Sequence, residues 1–159
     1  MRPTWPAPLP PHRQHPPPGG ALVFANTPDS AEEAFASLAD HEPNGCALYH
    51  KNIPPAERAR VLEEFRQGKL RALVCTGLAS RGIDLANVTH VIQYECAANA
   101  VEFMHRIGRT ARAGNEGTAT TFYDDERAEL VEALKEACEG GHPSARPHCR
   151  RTNAARVPL

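Results

Sequence analysis

Short apolar runs alternate with segments of helical periodicity along most of this chain, and this alternation constrains the fold more than any other feature. Continuous apolar runs at Ala21–Phe24, Cys46–Tyr49, Leu70–Cys75 and Val88–Tyr94 are typical of strands that are buried on both faces. A fifth run, Gly117–Tyr123, alternates threonines with apolar residues. Because the connections are short, the pattern predicts an α/β fold: a parallel sheet covered by helices on both faces.

The helical segments carry recognisable start and stop signals. We expect Asp29 or Ser30 to cap the first helix, Pro55 to begin the second, and Gly68 to end it. The pair Asp124-Asp125 is expected to cap the last helix, which runs to about residue 138. The apolar positions expected to face the sheet are Ala31, Ala34, Phe35, Leu38, Val61, Leu62, Phe65, Leu130, Val131 and Leu134. Strand-end loops of such a fold gather along one edge of the sheet, where ligands bind.

Both ends of the chain differ in composition from the middle. Residues 1–20 contain eight prolines and end in two glycines, which predicts an extended, disordered lead. Residues 141–159 contain four arginines, no acidic residue and few apolar ones, which predicts a disordered basic tail. The expected organisation is therefore a single folded domain over residues 21–140, flanked by these two segments.

Composition narrows the class of protein. The chain has 159 residues, enough for one ordinary domain, and its formal net charge of −1 means that any nucleic-acid site must be local. Its five cysteines form no Cys-x-x-Cys pair, so neither a zinc site nor a disulfide framework is indicated. Cys75 and Cys96 are expected in the core. No apolar run approaches the ~20 residues that span a bilayer, so no membrane partner is expected.

A basic cluster at His105–Gly114 is the most informative local feature. It contains His105, Arg106, Arg109 and Arg112, with Glu102 as the only acidic residue nearby. On a helix, His105, Arg109 and Arg112 would share one face. One interpretation is a solvated basic surface, since charge runs usually contact water. The other is a site for concentrated negative charge such as a nucleotide phosphate, because planar guanidinium groups match phosphoryl oxygens.

Three segments, in order, resemble the motifs of DEAD-box RNA helicases. Ala21–Thr27 resembles motif IV, Cys75–Asp84 resembles motif V, and His105–Gly114 resembles motif VI, whose pattern is His-Arg-x-Gly-Arg-x-x-Arg. The resemblance covers residues 21–134 and implies the second, C-terminal RecA-like domain of an ATP-dependent RNA helicase. An N-terminal RecA-like domain would then bind most of the ATP and its Mg²⁺, because neither a P-loop pattern nor Asp-Glu-Ala-Asp occurs in this sequence.

The resemblance also implies roles in nucleotide chemistry. Arg109 and Arg112 match the arginines that reach the ATP γ-phosphate and act as catalytic arginine fingers. Asp84 matches a carboxylate that accepts a hydrogen bond from a ribose hydroxyl, and Gly82 allows the backbone to come close. These four residues are the predicted nucleotide-binding set, and no metal ligand is predicted.

A second group is matched to RNA and to the partner domain. Thr27, Arg58 and Thr76 match contacts to the RNA backbone, which hold single-stranded or duplex RNA without reading bases. His105 and Arg106 match residues that couple the cleft to the N-terminal domain. The alternative function is a stand-alone, non-catalytic RNA-binding module. A DNA helicase is less well supported, because His105 as first residue of motif VI is typical of the RNA helicases.

The sequence departs from the family pattern at three points. Gly77 stands where the family usually has aspartate, Lys51-Asn52 replaces Gly-Asp after His50, and Pro55 replaces a glutamine. The runs at 49–52 and 91–93 resemble an organelle-type branch of photosynthetic eukaryotes, whose members work on ribosomal RNA. That branch would place the protein in a plastid or a mitochondrion.

Overall fold

The computed structural model describes residues 19–41, 45–77, 85, 88–112, 117–139 and 147–151. Its elements in chain order are β1 (Gly20–Phe24), α1 (Pro28–Ala39), β2 (Cys46–Tyr49), α2 (Pro55–Arg66), β3 (Ala72–Cys75), β4 (Val88–Gln93), α3 (Ala100–Ile107), β5 (Thr118–Tyr123), a 3₁₀ turn (Asp125–Arg127), α4 (Ala128–Glu139) and β6 (Pro147–Arg151). Within these ranges the strands form one sheet in the order β2-β3-β1-β4-β5-β6, and every neighbouring pair is parallel. The predicted parallel α/β architecture is confirmed.

The central strands are buried because their two faces pack against different helices. Leu22 and Phe24 of β1 lie in a cluster with α2, whereas Val23 lies in a second cluster with α1. A third cluster joins α3 to α4 and contains Phe103 and Val131. This two-sided burial explains why β1 and β3 read as unbroken apolar runs and not as alternating ones.

The carboxyl ends of three neighbouring strands are level with one another. Cys75 of β3 is in register with Tyr49 of β2 on one side and with Phe24 of β1 on the other. Neighbouring strands in a sheet lie about 4.8 Å apart. Residues that follow these strands are therefore brought to one edge of the sheet, which we call the carboxyl rim.

The structure corrects one predicted helix cap and confirms the others. Thr27 caps α1, so the choice between Asp29 and Ser30 was wrong: Thr27 has extended backbone angles, and its hydroxyl accepts from the amide of Ser30. Pro28 occupies the first turn, which fixes the helix start one residue after Thr27. The predicted cap of the last helical segment is confirmed, since Asp124 Oδ1 accepts from the amide of Arg127 at 3.1 Å.

The bounds of α2 follow the two signals in its sequence. Pro55 is its first residue, and Gly68 adopts a positive φ of 72° two residues after its end. Of the apolar positions expected to face the sheet, Phe35, Leu62 and Leu130 are only partly buried. Cys75 and Cys96 lie in the core as expected.

The basic tail differs from our expectation at residues 147–151, which form β6 beside β5. An edge strand offers backbone N–H and C=O groups to any segment that can lie beside it, whether or not that segment is apolar. The rest of the tail and residues 1–18 of the proline-rich lead lie outside the described residues. Among the described residues, no helix is long and apolar enough to cross a membrane.

Candidate functional site

Three polar residues named in the sequence analysis follow the carboxyl ends of β1, β2 and β3. Thr27 comes three residues after β1, His50 directly follows β2, and Thr76 directly follows β3. Because β2, β3 and β1 are adjacent, these residues share the carboxyl rim. The structure thus brings together the polar positions that the alternation pattern placed on one edge.

The two threonines at the rim present their hydroxyl groups differently. Thr27 is exposed, and its Oγ1 lies 2.9 Å from the hydroxyl of Ser30 within the capping arrangement of α1. Thr76 is 8% exposed, so only a small part of it can reach a ligand. Both positions suit a phosphate oxygen, because each places a hydroxyl beside a strand end where backbone donors also emerge.

Arg58 differs from its neighbour on α2 in how its charge is balanced. Arg60 forms ion pairs with Glu64 at 2.7 Å and with Glu57 at 3.8 Å. Arg58 instead lies over the ring of Tyr49, 6.0 Å from the centroid, and has no acidic partner in the described part of the chain. Its positive charge is therefore held at the end of β2, where an anionic ligand could meet it.

His50 is a buried residue to which the sequence analysis assigned no functional role. It is 1% exposed, and neither ring nitrogen has a hydrogen-bond partner among the described residues. The nearest acid is Glu32 of α1, with 3.7 Å between Nε2 and Oε1. Its position directly after a predicted strand, and its match to the histidine of the family's His-Gly-Asp, were the signals that the sequence offered.

The basic cluster is not one continuous helix. The helix α3 ends at Ile107, and Gly108 caps it, so Arg109 and Arg112 lie beyond its last turn. The prediction that His105, Arg109 and Arg112 share a helical face is therefore wrong. The two arginines are instead tied back to the helix end: Arg109 Nε donates to the carbonyl of His105 at 3.2 Å, and Arg112 Nε donates to that of Gly108 at 2.6 Å.

These contacts leave the arginines well placed to bind an anion. Each uses its Nε for a helix-end carbonyl, a favourable place for a cation. Arg112 is exposed and has no acidic partner among the described residues. When Nε is fixed, the planar guanidinium holds Nη1 and Nη2 in a defined direction. That geometry suits a pair of hydrogen bonds to two phosphoryl oxygens.

A strained residue lies between the two arginines. Ala111 has a φ of 56°, in the left-handed region that costs an L-residue with a Cβ roughly 1–2 kcal/mol. The turn is held from both sides: the buried hydroxyl of Thr110 donates to the carbonyl of Val88 at 2.7 Å, and Gly117 lies so close that a Cβ would overlap Thr110. Strain of this kind concentrates at functional sites, and nothing in the sequence marked it.

Arg106 lies inside the domain and not on its surface. It is 1% exposed, and its guanidinium lies 5.4 Å from the ring centroid of Phe24. It donates to the side chain of Asn26 at 2.8 Å, to the carboxylate of Glu102 at 2.7 Å, and to the carbonyl of Glu95 at 3.1 Å. Its predicted coupling to a partner domain remains a prediction, and any such effect must pass through the groups that it holds. His105, matched to the same role, is exposed beside it.

The thiol of Cys75 at the end of β3 is not a candidate nucleophile. Burial raises its pKa well above the ordinary value, and the nearby positive charge of Arg106 offsets this only in part. A thiol that stays protonated is unreactive.

Gly82 and Asp84, predicted to contact the nucleotide, lie outside the described residues and remain predictions. Among the described residues, no group of histidine, cysteine and acidic side chains could hold a metal ion.

The parallel sheet, with helices packed on both of its faces, defines this chain as a RecA-like α/β domain. The family described as helicase conserved C-terminal domain matches residues 12–114, more than half of the chain. The protein therefore belongs to that family, and its relatives identify it as a DEAD-box RNA helicase C-terminal domain. It is 48% identical over 122 residues to DEAD-box ATP-dependent RNA helicase 22 of Arabidopsis thaliana, covering 77% of this chain and 21% of that protein.

Solved structures support the same assignment. The chain is similar to S. cerevisiae Dbp5 bound to RNA and ADP BeF3, with a TM-score of 0.69 and 26% identity over 85% of this chain and 35% of that one. It is also similar to Mss116p DEAD-box helicase domain 2 bound to an RNA duplex, with a TM-score of 0.68 and 26% identity over 85% of this chain and 53% of that one. The predicted family and RecA-like fold are thereby confirmed. The chain spans about a fifth of the length of the curated helicase that it matches.

Proposed function

We propose that this chain is the C-terminal half of an ATP-dependent RNA helicase, and that it contributes arginine fingers and RNA-backbone contacts to RNA unwinding or remodelling. The observation that carries the proposal is that the candidate RNA contacts follow neighbouring strand ends, and that the helix leading to Arg109 and Arg112 is tied to this edge of the sheet. Thr27 and Thr76 follow β1 and β3, and the arginine segment is joined to the same edge by the 2.8 Å bond between Arg106 and Asn26.

The arginines supply the catalytic part of the proposed function. Arg109 and Arg112 would neutralise the charge that develops on the transferred phosphoryl group, a contribution of about 10³–10⁵ in rate in other phosphoryl-transfer enzymes. A first RecA-like domain would provide the P-loop and the Mg²⁺ ligands. This division of labour fits the described residues, in which both arginines are fixed through Nε.

The RNA contacts would hold the backbone without reading sequence. Thr27, Thr76 and Arg58 offer two hydroxyls and one cation to phosphate oxygens. The two structural relatives that were solved bound to RNA support this assignment. Since all three residues belong to this chain, it can also be tested as a stand-alone RNA-binding module, which is the second candidate function.

The catalytic proposal is tested by fusing the chain to the P-loop-containing first domain of the related Arabidopsis helicase. We expect RNA-stimulated ATPase activity, and a fall in kcat of about 10³ for Arg112→Ala. The control is Arg66→Ala, at the far end of α2, where the side chain is 49% exposed. An Arg112→Ala fusion with undiminished kcat would refute the finger role, and an inactive parent fusion would leave the RNA-binding module as the better description.

RNA binding is tested on the chain alone with a single-stranded homopolymer. We expect salt-sensitive binding that does not depend on base identity. Arg58→Ala should weaken it, whereas Arg60→Ala should not, because Arg60 is occupied by Glu57 and Glu64. Equal effects of the two substitutions would contradict the assignment of Arg58 to RNA.

A further inference from the structure

We infer that Asn26 is a positioning residue that locks the RNA-contact loop and the arginine helix into one rigid unit. The inference deepens the proposed function and rests on it for its meaning in RNA and ATP binding. The RNA-contact loop is defined here as Asn26–Ser30, which joins β1 to the first turn of α1. The arginine helix is α3 with the segment up to Arg112.

Asn26 joins these two parts through three separate groups. Its side-chain oxygen accepts from Arg106 Nη2 at 2.8 Å, and its side-chain nitrogen donates to the carbonyl of Cys96 at 3.1 Å. Its backbone N–H donates to the carboxylate of Glu95 at 2.7 Å. One residue of the loop is thus bound to α3 and to two residues of the connection between β4 and α3.

The carboxylate of Glu95 forms further hydrogen bonds with the same loop. Its Oε2 accepts the Asn26 amide and also the hydroxyl of Ser30 at 2.6 Å, and Ser30 is in turn hydrogen-bonded to Thr27. The carbonyl of Glu95 accepts from Arg106 Nη1 at 3.1 Å. The loop therefore cannot move away from the arginine helix without breaking hydrogen bonds that involve charged groups, which are the stronger kind.

Burial makes this link more rigid than a surface network would be. Arg106 is fully buried and also pairs with Glu102 within α3, so it has no alternative partner in water. Asn26 is exposed at the rim, beside Thr27. A ligand that contacts Thr27 therefore lies beside Asn26, the residue that binds Arg106. Arg109 in turn follows Arg106 by three residues.

This arrangement has a functional consequence. If the loop and the helix move as one body, RNA bound at Thr27 steadies α3, and this adds to the bond from Thr110 to Val88 in positioning Arg109 and Arg112. Without Asn26, the RNA contact and the arginine segment would each keep their own contacts with the sheet, but the link between them would be lost. A helicase with that defect would bind RNA and yet respond to it poorly in ATP hydrolysis.

The test is hydrogen exchange of backbone amides in the chain itself, with three variants. Asn26→Ala removes the link. Asn26→Asp keeps an oxygen that can accept from Arg106 and serves as the rescue. Asn99→Ala is the matched control, because Asn99 caps α3 by accepting from the amide of Glu102 at 2.9 Å but does not touch the RNA-contact loop.

The first arm contains no RNA. Reporter amides are those of Ser30 in the loop and Ala31 directly after it, whose amide donates to the carbonyl of Thr27, and those of Gly108 and Thr110 at the end of the arginine helix. Asn26→Ala should raise exchange in both sets about tenfold or more, as expected for the loss of one charge-assisted hydrogen bond from a local unit. Asn99→Ala should leave the loop unchanged, and Asn26→Asp should restore most of the protection at the helix end.

The second arm adds an oligouridylate to the same proteins. In the parent chain and in Asn99→Ala, RNA should slow exchange in the loop and at the helix end together. In Asn26→Ala it should slow exchange in the loop alone, a separation that general destabilisation would not produce.

Each result decides a different claim. If Asn26→Ala loosens only its own loop without RNA, or transmits RNA protection as fully as Asn99→Ala does, the rigid link is overturned. If RNA protects nothing in the parent chain, the proposed RNA contact fails, while the RNA-free arm still decides whether the two parts move as one.

Discussion

Replacing Arg106 with methionine tests whether the buried guanidinium holds the arginine helix to the sheet. Methionine fills a similar elongated space without charge. The substitution removes the ion pair with Glu102 and the bonds to Asn26 and the carbonyl of Glu95. Arg60→Met is the matched control, because Arg60 likewise pairs with a glutamate four residues away on its own helix, and both ion pairs measure 2.7 Å.

The two pairs differ mainly in burial, and this sets the expected magnitudes. The side chain of Arg106 is 1% exposed and that of Arg60 is 59% exposed, whereas their glutamate partners are similar at 28% and 30%. Removing one partner of a buried, hydrogen-bonded pair costs about 3–5 kcal/mol. Glu102 can regain some hydration, so we expect a loss near the lower end, about 3 kcal/mol, for Arg106→Met. An exposed helical pair contributes about 0.3–0.5 kcal/mol, which is the loss expected for Arg60→Met.

Urea unfolding followed by far-ultraviolet circular dichroism measures both losses. The slope of free energy against urea should stay the same in all three proteins, so that midpoints can be compared directly. A difference between the two variants of less than about 1 kcal/mol would refute the reasoning, because burial would then add little to the strength of this network.

Three further predictions concern backbone strain, RNA charge contacts and pH. Ala111→Gly should stabilise the domain by about 1 kcal/mol by relieving a positive φ, whereas the same change at exposed Ala36 inside α1 should destabilise it by about as much; thermal unfolding measures both. Lys51 is exposed just after β2 and could contact an RNA phosphate. Lys51→Ala should therefore reduce the slope of log affinity for single-stranded RNA against log salt by about 0.7. Lys69→Ala should leave this slope unchanged, because Lys69 lies at the opposite end of the strands. Burial raises the pKa of the Cys75 thiol, so the unfolded chain loses this proton at a lower pH than the folded chain does. The free energy of unfolding should therefore decrease as the pH rises above about 8.5. In Cys75→Ala, the urea midpoint should decrease less steeply with pH than in the parent chain.

Much of the fold follows from patterns that are local in the sequence. The strands at 21–24 and 72–75 were recognisable because a run of apolar residues buried on both faces has no polar alternation. The ends of α2 followed from Pro55 and Gly68, since each residue acts through its own backbone geometry. The cap of α1 was less certain because Thr27, Asp29 and Ser30 can all accept a backbone hydrogen bond. The placement of Pro28 decided among them.

The strand β6 shows the opposite case. Nothing in the basic composition of residues 141–159 indicates a strand, because their pairing with β5 depends on an available sheet edge and not on apolar side chains. Burial of His50 is similar: its surroundings come from α1 and the end of β2, and its own sequence neighbours do not reveal them.

The sequence by itself determined the parallel α/β plan, the edge of the sheet where a site would form, and the residue types available to bind phosphate. Only the tertiary structure decided which of those residues face a ligand and which are part of the scaffold. Arg106 and Arg109 are close in sequence and chemically alike, yet Arg106 is buried against Asn26, 80 positions away. Burial and long-range hydrogen bonds depend on contacts between distant segments, and a local pattern carries no information about them until the chain has folded.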